Sequence, residues 1–71
     1  MITKAEIYHI FQNTCDEDIL RKPKKDLVEM FTEIFEYTPS SSKPKEELVK
    51  ALRANYFAIR RGLDFKDYFK N

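Results

Sequence analysis

The sequence predicts an all-α domain of three to four short helices built around a central helix, extended loop, helix unit. Three observations lead there. The chain repeats itself: Lys22-Pro23-Lys24-Lys25-Asp26-Leu27-Val28 and Lys43-Pro44-Lys45-Glu46-Glu47-Leu48-Val49 run in register, 21 residues apart. Pro is tolerated in the first helical turn, where its missing N–H removes nothing, so each Lys-Pro-Lys marks a helix start and each Leu-Val opens a buried stripe. After the first of these starts, Leu27, Met30, Phe31, Ile34 and Phe35 recur at i, i+3, i+4, i+7 and i+8, the spacing of one helical face. Finally, a 71-residue chain with one Gly and 35% charged residues is poorly suited to a turn-rich β fold.

Taken in order, the first helix spans about 3–13. Thr3 and Glu6 have the spacing of a capping box, and Ile2 and Ile7 that of a hydrophobic staple. Its buried face is Ile7, Ile10 and Phe11, with Tyr8 at the margin. Residues 16–20 read as a turn or one short helical turn that delivers Ile19 and Leu20 to the core. The second helix runs from about Pro23 to Tyr37 or Thr38, because Pro39 biases the residue before it out of the α region. Ser40, Ser41 and Ser42 are placed to turn back and cap the next helix. That helix starts at Lys43 or Pro44 and carries Leu48, Ala51, Leu52, Tyr56 and Ile59 on one side. Gly62 suits a left-handed helix end, and Asp64 a cap for a final short helix over 64–70 bearing Phe65, Tyr68 and Phe69. Residues 1–71 are thus expected to form one domain.

Composition narrows the function. Ten aromatic residues, none of them Trp, fill a core that in a chain of this size buries only about 60% of the unfolded surface. The single Cys15 excludes an internal disulfide, no apolar run has the length of a membrane span, and no signal-peptide pattern opens the chain; the expectation is an intracellular protein. Net charge is +1, yet it is unevenly spread: Arg21 to Lys25 are basic, Asp26, Glu29, Glu33 and Glu36 make the next helix acidic, and the chain beyond Tyr37 is basic again.

Enzymatic chemistry finds no footing. One Cys and one His do not make a zinc site, and no second Gly exists for a phosphate loop. His9 reads as a half-exposed helical residue and Cys15 as a small buried apolar one. Acidic pairs such as Glu46-Glu47 and Asp16-Asp18 fit first-turn charges at helix N-termini. No cofactor and no metal are expected.

What remains is the doubled helix start. A helix N-terminus presents unpaired N–H groups and a partial positive charge, and neighbouring lysines and hydroxyls complete a phosphate grip. The expected contacts are Arg21, Lys22, Lys24, Lys25, Ser40, Ser41, Ser42, Lys43, Lys45 and, along the last long helix, Arg53. The bland alternative is that these are ordinary solubilising and capping residues.

The pattern Lys24-Lys25-Asp26-Leu27-Val28-(x)₂-Phe31, a connector with Pro39 and Ser41-Ser42, then Lys45-Glu46-Glu47-Leu48-Val49-(x)₂-Leu52 resembles the helix–extended loop–helix modules: the SAP motif, the LEM-type fold and the N-terminal domain of the Rho transcription terminator. The resemblance covers about residues 20–55. It implies binding of DNA or RNA through the loop and the N-terminus of the second helix of the unit. LEM-type members bind protein instead, so the alternative is a protein-interaction or regulatory adaptor that uses the acidic face and exposed aromatics. Neither reading involves a membrane or a small-molecule substrate.

Overall fold

A computed structural model describes residues 2–61. The expectations for Gly62, Leu63, Asp64 and a helix over 64–70 lie outside the described residues. Within them the fold is all-α: α1 spans Lys4–Asn13, α2 Asp16–Ile19, α3 Lys24–Phe35 and α4 Lys45–Arg60, with no strand. α3 and α4 pack on each other, and α1 lies against both.

α1 begins as its sequence dictates. The Thr3 hydroxyl accepts the Glu6 N–H at 3.2 Å, and the Glu6 carboxylate accepts the Thr3 N–H at 2.9 Å and the Thr3 hydroxyl proton at 3.1 Å, a complete capping box. These bonds to the charged form hold the Glu6 carboxyl below the usual carboxylate value, the Thr3 backbone N–H contributing most. Ile7 and Phe11 are buried, while Ile2, Tyr8 and Ile10 pack half-buried around them.

α3 contributes Leu27, Met30, Phe31 and Ile34 to the core, and Phe35 packs against its edge with its ring 4.5 Å from that of Phe31. Its end comes earlier than Pro39 suggests. Glu36 takes a left-handed conformation at φ 64°, and its N–H bonds to the Thr32 carbonyl at 2.8 Å. The helix is therefore stopped by a non-glycine residue in the position usually given to Gly, three residues before the proline.

α4 buries Leu48, Val49, Leu52, Asn55, Tyr56 and Ala58. Ala51 and Ile59, expected inside, are only half-buried, whereas Val49 and Asn55 are fully inside. The buried face is rotated because α4 is covered by α1 as well as α3. Asn55, 1% exposed, accepts the Tyr8 hydroxyl proton at 2.8 Å, and its Nδ2 has no hydrogen-bond partner among the described residues.

Candidate functional site

The two Lys-Pro-Lys segments fold alike. Pro23 and Pro44 occupy the N-cap rather than the first helical position, both extended, and the carbonyl of each accepts the N–H groups three and four residues on. Asp26 and Leu27 donate to Pro23 at 3.0 and 3.3 Å; Glu47 and Leu48 donate to Pro44 at 3.1 and 3.3 Å. A proline has no side-chain oxygen, so neither N-terminus receives a side-chain cap. The N–H groups of Lys24 and Lys25, and of Lys45 and Glu46, have no protein acceptor among the described residues.

One bond ties the start of α3 to the connector. The Lys24 ammonium donates to the Ser41 carbonyl at 2.7 Å. Lys24, Lys25, Val28, Thr38, Pro39 and Ser41 together line an open groove there. Lys45 is four residue steps beyond Ser41, so at about 3.4 Å per step the second helix start lies no more than about 14 Å along the chain from the first one's lysine contact.

The serines act on the connector itself and do not cap α4, contrary to the sequence expectation. Ser40 Oγ accepts the Ser42 N–H at 3.3 Å and lies 2.9 Å from Ser42 Oγ, and the Ser40 carbonyl accepts the Lys43 N–H at 3.0 Å. Those short-range bonds close a turn before α4 begins and keep the hydroxyls away from its N-terminus. Lys43 pairs with Glu47 at 3.7 Å on the surface, whereas Lys25 and Lys45 form no ion pair among the described residues.

Three of the expected contacts are placed elsewhere. Lys22 lines a groove with Glu6, Asp26 and Glu29 on the side toward α1, away from the serines. Arg21 is exposed beside Asp18 at 3.8 Å. Arg53 is a correction: its guanidinium, on a side chain only 16% exposed, is used up inside the fold. Nε donates to Asp16 Oδ1 at 2.7 Å, Nη1 to the Phe11 carbonyl at 2.7 Å and Nη2 to the Thr14 carbonyl at 2.8 Å. The group also stacks over the rings of Phe11, Tyr56 and Phe57, 4.8 to 5.7 Å from their centroids. α1 has no basic residue in its last turn, so Arg53 serves as its C-terminal cap from another helix.

Cys15 also differs from its expectation: it is exposed, its thiol 3.5 Å from the Asp18 carboxylate. His9 is exposed at the surface of α1, where Asn13 Nδ2 donates to its carbonyl at 2.9 Å. Among the described residues no three His, Cys, Asp or Glu side chains gather closely enough to hold a metal ion, and no helix is long and apolar enough to cross a membrane. On the acidic side of α3, Glu36 pairs with Lys4 at 3.8 Å, and Tyr37, 60% exposed, rests edge-on against Phe31 at 5.3 Å. No family model, no curated protein and no solved structure matches this chain.

Proposed function

We propose that the chain is a small non-enzymatic nucleic-acid-binding module of the cell interior, similar in plan to the SAP-type helix–extended loop–helix units. It grips phosphates of DNA or RNA at the starts of α3 and α4. The observation that carries this reading is the Lys24 bond to the Ser41 carbonyl, which draws the first uncapped helix start onto the connector that leads into the second. In this reading the uncapped N–H groups, the positive helix ends and the lysines Lys24, Lys25 and Lys45 act together on one phosphate backbone. Such contacts position a sugar–phosphate backbone and carry little base information. Arg53 is left out of this set, because its donors are already satisfied.

The test is a fluorescence anisotropy titration of a short labelled duplex at several salt concentrations. Lys25→Glu with Lys45→Glu removes one cation from each helix start without touching the apolar core. The parent is expected to bind with steep salt dependence, and the variant to bind more weakly with a log–log salt slope reduced by about 2. Equal binding by parent and variant at low salt, or no binding by the parent, overturns the proposal.

A further inference from the structure

The outer face of α4 carries a second pattern that the phosphate grip does not use. Phe57 is 46% exposed, and beside it Leu20, Val49 and Ala54 line a mainly apolar groove between α2 and α4. Along the same face Glu46/Glu47, Lys50, Arg53/Ala54, Phe57 and Arg60/Arg61 recur at every half-heptad, the spacing by which one helix presents a straight seam to another. Except for Arg53, all of these residues are exposed. The seam is acidic at its N-terminal end and basic at its C-terminal end; between them stand Lys50, Arg53, the small Ala54, which permits close approach of a second helix, and the Phe57 ring. Glu46, Lys50, Arg60 and Arg61 form no ion pair with any described residue.

We infer that a second copy of this chain docks on the outer face of α4, antiparallel and across a two-fold axis passing between Arg53 and Ala54. Turning the seam end for end sets Glu46 and Glu47 opposite the partner's Arg61 and Arg60. It also sets Lys50 over the partner's Phe57, where the ammonium faces the ring and the aliphatic stem covers it. Ala54 meets the partner's Arg53, whose charge is already neutralised by Asp16 within its own chain. Every position finds a complementary one, which is what a two-fold interface requires of a single surface. A parallel copy would place acid against acid and base against base. The proposal is independent of the nucleic-acid reading.

The seam is one helix row about 24 Å long, short of the roughly 800 Å² per partner of a tight complex, so association is expected in the high-micromolar range. Sedimentation equilibrium of the whole chain without nucleic acid, up to about 1 mM, reads it directly. Glu46→Lys with Glu47→Lys makes both ends of the seam basic, and Arg60→Glu with Arg61→Glu makes both acidic. Each variant alone is expected to self-associate about tenfold more weakly than the parent, while an equimolar mixture recovers association, since opposite charges then face each other at both ends. Circular dichroism confirms that each variant keeps its helices. A parent that stays monomeric overturns the inference. Variants that associate as the parent does overturn it equally.

Discussion

Replacing Arg53 tests the packing logic most directly, because one side chain joins α4 to the end of α1 and the start of α2. Arg53→Ala deprives the Phe11 and Thr14 carbonyls of charged donors at 2.7 and 2.8 Å, each worth about 1 to 1.5 kcal/mol net. Loss of stacking over Phe11, Tyr56 and Phe57 adds about 0.5 to 1 kcal/mol. The Asp16 pair adds little, since Asp16 is 51% exposed and water screens it. The expected cost is about 3 kcal/mol, a large share of what so small a domain possesses. In urea, with a slope of about 1 kcal/mol/M, the unfolding midpoint falls by about 3 M. Arg53→Lys is expected to recover only part of this, because one ammonium does not span two carbonyls and a carboxylate as the planar fork does. Asp16→Ala should cost less than about 1 kcal/mol. An Arg53→Ala chain within about 0.5 kcal/mol of the parent would refute the account of Arg53 as a tertiary helix cap.

The remaining expectations concern polar groups elsewhere. Tyr8→Phe removes the one hydrogen bond that the Asn55 side chain makes among the described residues and leaves that buried amide without a partner there, at a cost of about 1 to 3 kcal/mol. Asn55→Leu removes an Nδ2 without a partner among the described residues while taking the acceptor from Tyr8, which is only half-buried, so it should cost less than Tyr8→Phe; urea denaturation of both variants checks the asymmetry. At the start of α1 the folded Glu6 carboxyl lies below its unfolded value, so its contribution is complete above the usual carboxylate pKa and is lost as pH falls through the folded one. Unfolding midpoints measured as pH is lowered from about 6 should show Glu6→Gln less stable than the parent at the upper end, with the difference narrowing as the pH falls.

How far the chain could be read depended on the range of the interaction concerned. The Thr3 to Glu6 box, the α3 stripe and the paired starts after Pro23 and Pro44 were legible, because each is settled by residues within two helical turns of one another. The placement of Lys24 on Ser41 was legible only as a neighbourhood. The lysine was marked by the repeat and the serine only as part of the connector, and the bond crosses 17 residues. Lys22 was misplaced for a related reason: the turn at 20–22 sends it toward the acids Glu6, Asp26 and Glu29, and no local rule fixes that direction.

By itself, then, the order of residues determined the helical class, the start of each helix from α1 to α4 within a residue or two and most of the apolar core, since periodicity and capping act over a few angstroms of contiguous chain. Only the tertiary structure decided what Arg53 and Asn55 do. Arg53 looked like one more surface cation until the open carbonyl end of α1, some 40 residues away in sequence, was packed against it. Asn55 is inside because α1 covers that face of α4 and brings Tyr8 to it. A side chain's partners are set by which helices meet, and that meeting is a property of the folded whole that spacing along one helix does not contain.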